Sequence, residues 1–137
     1  MSSISKRWIA IGALLGAIGV GLGAFGAHSL PGFLADRGYE GADAARRIAI
    51  FETAIRYQML HALALVFTGL ALDRHSCKCW NFAAWAFLIG VLVFSGLLKV
   101  LTFAGPEWNR LGAVVPIGGV AMIVGWVALA VGALRKS

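Results

Sequence analysis

Four apolar runs, each near the length that crosses a bilayer, leave this chain few ways to fold. A membrane helix takes roughly 20 mostly apolar residues. The first run extends from Trp8 to about His28, behind the basic pair Lys6-Arg7, and the others cover about 57–73, 81–103 and 111–134. Backbone groups in lipid must be satisfied within the spanning structure, which permits helices or closed barrels. None of the runs shows the alternation of a barrel strand. The expectation is an all-α membrane protein, a four-transmembrane-helix bundle forming one domain over 1–137. Composition agrees, at 60% hydrophobic, 13% charged and a mean hydropathy of +0.84. Soluble domains are about 45–50% apolar and about 25% charged, and one this short has no core large enough to hide the excess. The first run exceeds the ~7–15-residue core of a signal peptide and three more runs follow, so it is expected to stay uncleaved.

Between the first two runs Pro31-Gly32 stops the helix and a polar stretch follows. Over about 40–56, Ala44, Ile48, Phe51 and Ile55 recur at helical spacing. Asp43 with Arg47, and Glu52 with Arg56, are i,i+4 pairs of the favourable orientation. This predicts an amphipathic helix lying on the membrane surface between the first two spans, or a long continuous second helix. Trp8, Trp80 and Trp108 stand at the starts of runs one, three and four, where indole rings favour the headgroup level.

Twelve Lys and Arg residues give a net charge of +6. Most sit beside the ends of apolar runs, which suits anionic headgroups. No basic stripe with interleaved aromatics is present, so nucleic acid is not an expected partner. With four spans, Lys6, Arg7, Arg74, Lys78, Arg135 and Lys136 share one side, and Arg37, Arg46, Arg47, Arg56, Lys99 and Arg110 the other. The count ties, but the first set lies in very short segments. The expected localisation is a bacterial inner membrane with both termini cytoplasmic.

Gly12, Gly16, Gly19, Gly23 and Gly26 are spaced four, three, four, three along the first run. In lipid, helices associate through close backbone approach rather than apolar burial. The fourth run repeats the device with Gly118, Ala121, Gly125, Ala128 and Gly132. Helices one and four are therefore expected to pack tightly, with each other or across a homo-oligomer. Pro116, inside the fourth run, predicts a kink or an unwound start.

Ionisable groups at membrane depth are functional candidates. His61 is the leading one. On a helical wheel Tyr57 and Thr68 fall within about 40° of it and Gln58 within about 60°. With His28 at the end of the first run, the candidate polar cluster is His28, Tyr57, Gln58 and His61. It serves either as hydrogen-bonding glue between helices or as a site of proton or ligand chemistry. Only one other histidine exists, His75, so a metal site built on three or four ligands is not expected. Asp73, His75, Cys77 and Cys79 alternate to one side of an extended chain, yet C-x-C lacks a second pair, and the loop is expected in a reducing compartment as free thiols. There is no P-loop, no H-E-x-x-H and no G-x-S-x-G. No enzymatic activity and no cofactor are expected.

These segments also resemble a known family in order and spacing over nearly the whole chain. Gly23-Ala24-Phe25-Gly26-Ala27-His28 matches its G-A-F-G-A-H signature, and Tyr57-Gln58 with His61-Ala62-Leu63 its Y-Q-x-x-H-x-L block. Phe94-Ser95-Gly96 matches the start of F-S-G-S-L-Y, and Pro116-Ile117-Gly118-Gly119 matches P-I-G-G, with Gly125-Trp126 following. The family is domain-of-unknown-function 423, small bacterial inner-membrane proteins similar to eukaryotic transmembrane protein 256. The resemblance implies four membrane helices and no established activity, and marks His28, Tyr57, Gln58 and His61 as motif positions. Leu97 and Lys99 stand where the pattern has Ser and Tyr, and Val115 where it has Thr. Two functions fit: an accessory protein binding other membrane proteins through its glycine faces, or a small oligomeric transporter or channel lined by the His28/Tyr57/Gln58/His61 group.

Overall fold

The computed structural model describes residues 1–134; Arg135 and Lys136, counted above for orientation, lie outside the described residues. Helix α1 covers Ser3–His28, α2 Leu30–Ala35, α3 Gly41–Arg74, α4 Lys78–Phe103 and α5 Val115–Leu134, with a 3-10 helix over Pro106–Ala113 before α5. Four helical segments are long and apolar enough to span a membrane: α1, α3, α4 and the stretch from Pro106 to Leu134.

The ends of the elements follow from local chemistry. The Ser2 side chain accepts a hydrogen bond from the Ser5 N–H and caps α1, satisfying one of the donors a helix start leaves open. Pro31 sits at the start of α2, where its missing N–H does no harm. Gly38 at φ +80° and Gly41 at φ +56° turn the chain into α3 through the left-handed region, which glycine enters without a steric penalty.

The expected amphipathic element over 40–56 is not separate. It forms the first half of α3, one uninterrupted helix of 34 residues. Alanine and other good helix formers fill Ala42–Ala54, and no Pro or Gly interrupts them, so the helix continues where hydropathy falls. Pro116 lies at the second position of α5 and marks an unwound start after the 3-10 turn, not a kink.

Extensive packing joins α1 to α3, α3 to α4 and α4 to α5; none joins α1 to α5. The two glycine-bearing outer helices therefore do not pack on each other. Each lies against an inner one. α1 runs antiparallel to α3, with the Ser5 hydroxyl donating to the Gly69 carbonyl at 2.8 Å at one end and Gly26 beside Phe51 at the other. A Cβ placed on Gly12 would stand 2.7 Å from the Ala62 carbonyl oxygen, and one on Gly118 2.9 Å from the Phe94 Cβ and 3.0 Å from the Gly90 carbonyl oxygen. Gly16 differs, with nothing within 4 Å of that position. The closest contacts thus recur every seventh residue, at Gly12, Gly19 and Gly26 on α1 and at Gly118, Gly125 and Gly132 on α5. That is the seam of left-handed helix pairs.

Two apolar centres result. Near the termini, Trp8, Leu65, Leu72, Ala83, Ala84 and Phe87 are packed together. At the far end Leu30, Leu34 and Phe51 are buried beneath Phe25 and Phe103, so the short α2 closes that end of the bundle. Trp8 and Trp80 are turned into the protein: the Trp8 indole donates to the Asn81 side chain at 2.9 Å and that of Trp80 to the Leu129 carbonyl at 3.1 Å. Only Trp108 of the three expected surface indoles is exposed.

Arg47 secures the far end. It is 7% exposed and donates to the Thr102 carbonyl at 2.8 Å and the Ala104 carbonyl at 2.9 Å. A helix leaves its last carbonyls unpaired and carries partial negative charge there, so a guanidinium both satisfies and neutralises the end of α4. Asp43 pairs with it at 3.2 Å and the Tyr39 ring lies under it at 3.7 Å. The other expected i,i+4 pair, Glu52 with Arg56, is not formed: neither side chain makes an ion pair among the described residues.

Candidate functional site

Three of the four candidate polar residues stand together, midway along the helices. Gln58 is 1% exposed. Its amide nitrogen donates to the Leu15 carbonyl of α1 at 2.8 Å, and its amide oxygen accepts from the Lys99 ammonium of α4 at 2.6 Å. Leu15 is near the middle of α1, so this junction lies about midway along the membrane-length helices. One glutamine therefore joins three helices.

His61, one turn further along α3, reaches the fourth. The Trp126 indole donates to His61 Nε2 at 3.2 Å, and His61 Nδ1 lies 2.8 Å from the Tyr57 carbonyl. An indole N–H only donates, so Nε2 accepts and the ring proton is on Nδ1, where it donates to the backbone. The imidazole sits among rings: Tyr57 is parallel to it at 6.2 Å, Phe87 is at 5.5 Å and Trp126 at 6.0 Å between centroids. Thr68, also on this face, turns its hydroxyl back to the Ala64 carbonyl at 2.7 Å. Tyr57 is 39% exposed and packs on Phe94 at 4.7 Å.

His28 is not part of the group. It is exposed at the C-terminal end of α1, about half a turn beyond the level of Phe51, while Gln58 meets α1 at Leu15. The separation is about 13 residues, roughly 20 Å at 1.5 Å per residue.

Lys99, Trp126 and Ser95 are the members that the candidate set lacked. Side chains on a helix lean toward its N-terminus. For Lys99, near the C-terminal end of α4, that direction is toward the middle of the helix, and its ammonium reaches Gln58 there. Ser95 lies one turn earlier on the same helix and is fully buried, and its hydroxyl has no hydrogen-bond partner among the described residues. The signal for Lys99 was its spacing of four from Ser95 together with this lean; for Trp126 it was the Gly125-Trp126 motif.

Among the described residues no group of three or more His, Cys, Asp or Glu side chains stands close enough to hold a metal ion. Cys79 is in the first turn of α4, so the alternation of an extended loop does not apply to it. The chemical capacity of the seam is hydrogen bonding between helices: Gln58 and His61 between them connect α3 to α1, α4 and α5.

The family described as a protein of unknown function (DUF423) matches residues 22–119. The chain is similar to UPF0382 membrane protein SERP0230 of Staphylococcus epidermidis, 39% identical over 130 residues that cover 95% of this chain and 97% of the relative. It is also similar to UPF0382 membrane protein YwdK of Bacillus subtilis, 34% identical over 131 residues covering 95% and 98%. UPF0382 membrane protein SH2409 of Staphylococcus haemolyticus is 37% identical over 130 residues, covering 95% and 97%. No solved structure matches the chain.

Proposed function

Because the chain belongs to the DUF423 family of unknown function and is a multi-pass membrane protein, we propose that it works by association within the bilayer and not by catalysis. It is an accessory component that holds other membrane proteins, or further copies of itself, against its lipid-facing helices. The supporting observation is where its polar groups go. Gln58 and His61 use their hydrogen-bonding capacity to bind α1, α4 and α5 to α3, which makes the bundle a rigid support. A transport path would need these groups turned toward water or substrate.

The test is crosslinking and affinity capture from native membranes, beside solute flux in proteoliposomes. A stable complex that persists in His61→Ala supports the reading. Flux that His61→Ala abolishes would replace it with a transporter. The protein resides in a bacterial inner membrane with its termini cytoplasmic. In a Cys79→Ser background, an impermeant maleimide added to intact spheroplasts then leaves Cys77, in the turn between α3 and α4, unlabelled; labelling from outside reverses the orientation.

A further inference from the structure

A groove of about 320 Å³ runs between α1 and α3 at the end of the bundle away from the termini, lined by Gly23, Gly26, Phe51, Ile55, Glu52 and Arg56. It combines an apolar channel with two opposite charges that the protein does not pair with each other. Among the described residues neither Glu52 nor Arg56 makes a hydrogen bond or an ion pair. Both are exposed on α3, one helical turn apart.

Their depths differ in an informative order. Phe51 lies against Gly26 and Ile55 against Gly23. Glu52 is therefore level with the last turn of α1, near the bilayer surface, and Arg56 is one turn, about 6 Å, deeper. An arginine facing hydrocarbon without a partner is costly. Its side chain leans toward the N-terminus of α3, which at this end is toward the surface, and brings the guanidinium to the depth of lipid phosphates. In a phospholipid carrying an amine, the phosphate is nearer the acyl chains and the ammonium nearer water. The protein presents the complementary charges in the same order.

We infer that this groove binds one phospholipid with a primary-amine headgroup. An acyl chain lies along Gly23, where the missing side chain leaves room, and the walls are Gly26, Phe51 and Ile55. The phosphate takes the planar, two-pronged hydrogen bonding that Arg56 offers. The Glu52 carboxylate accepts hydrogen bonds from the ammonium. A trimethylammonium has no N–H to donate, and a glycerol headgroup has no cation, so phosphatidylcholine and phosphatidylglycerol each lose that contact.

The experiment reconstitutes the full chain in nanodiscs of equal parts phosphatidylethanolamine, phosphatidylcholine and phosphatidylglycerol, then releases it and weighs the retained lipid by native mass spectrometry. Phosphatidylethanolamine is expected to be retained about tenfold over each of the others, the ratio that one charge-assisted hydrogen bond gives. Glu52→Gln, on an exposed face, erases the preference while phospholipid still binds. Gly23→Leu fills the groove and lowers retention of all three; its Cβ comes no closer than 3.7 Å to Ile55, and helical content checks that the fold is kept. Equal retention of the three lipids by the unaltered protein overturns the inference. So does a preference that survives both Glu52→Gln and Gly23→Leu with helical content unchanged.

Discussion

Alanine placed at Gly12 and at Gly16 should move stability in opposite directions, although the two glycines are one turn apart in the same helix. At Gly12 the new methyl group meets the Ala62 carbonyl oxygen at 2.7 Å, the Val66 Cγ2 at 2.8 Å and the Val66 backbone nitrogen at 3.0 Å. Two of those three atoms belong to the α3 backbone and cannot rotate away, so α1 must shift outward. Overpacking of this kind costs about 1–3 kcal/mol. Replacing glycine within a helix returns about 0.8–1.0 kcal/mol of backbone preference, leaving a net loss of up to about 2 kcal/mol. At Gly16 no atom lies within 4 Å of the added methyl, so only the gain of up to about 1 kcal/mol remains. The assay is unfolding in mixed micelles by rising sodium dodecyl sulfate, followed by tryptophan fluorescence, since Trp8 on α1 is 5.0 Å from Trp85 on α4. Gly12→Ala should unfold at a lower detergent fraction than the parent, and Gly16→Ala at an equal or higher one. If Gly12→Ala matched Gly16→Ala, the seam would not be where the backbones meet.

Three further outcomes use the same unfolding measurement. Arg47→Met keeps the length of the stem but strips the Thr102 and Ala104 carbonyls of their donor; it should cost about 2–3 kcal/mol, and an unchanged midpoint would remove Arg47 from the role of closing α4. Gln58→Leu strands the Lys99 ammonium, so it should be more damaging than Gln58→Leu combined with Lys99→Leu. Strict additivity of the two changes would show that no coupling exists. Trp126→Phe preserves a ring against Phe87 but deletes the N–H donated to His61; a loss of about 0.5–1 kcal/mol is expected, and none at all would mean the bond does not hold α5.

The spans were legible because hydropathy is a local property: a residue faces lipid or protein at the same depth either way. The head of α3 was harder, because Asp43, Arg46 and Arg47 lower the hydropathy without lowering helix preference. Glycine spacing located a face on α1 but not its width. Gly16 is rotated by about 40° from Gly12, enough to leave a seam whose true period is seven. Periodicity also carries no information about partners, which is why the glycine stripes suggested packing with each other or across a second copy, and not on the inner helices where each lies. His28 joined the polar cluster on residue type, its place at the end of the first run and its motif position; only the antiparallel register of α1 on α3 separates it. Lys99 looked like a surface lysine because it is close to a helix end. The direction in which its side chain leans, not its position, carries it to Gln58.

The length of α3 has a consequence for how the protein sits in membranes of different thickness. At 34 residues it is about 51 Å long, against a hydrocarbon core of about 30 Å. Its C-terminal end stops level with the start of α1, where Asp73 accepts the Ser2 backbone N–H, so most of the excess is at the far end, under α2 and the phenylalanine cluster. Such a helix meets mismatch unequally. A thicker bilayer would climb the apolar side of the projecting turns until it reached Arg46 and Glu40. A thinner one would uncover Phe25, Phe33 and Phe103. Mismatch would thus be felt mainly at the leaflet that holds α2, and little at the one that holds the chain termini.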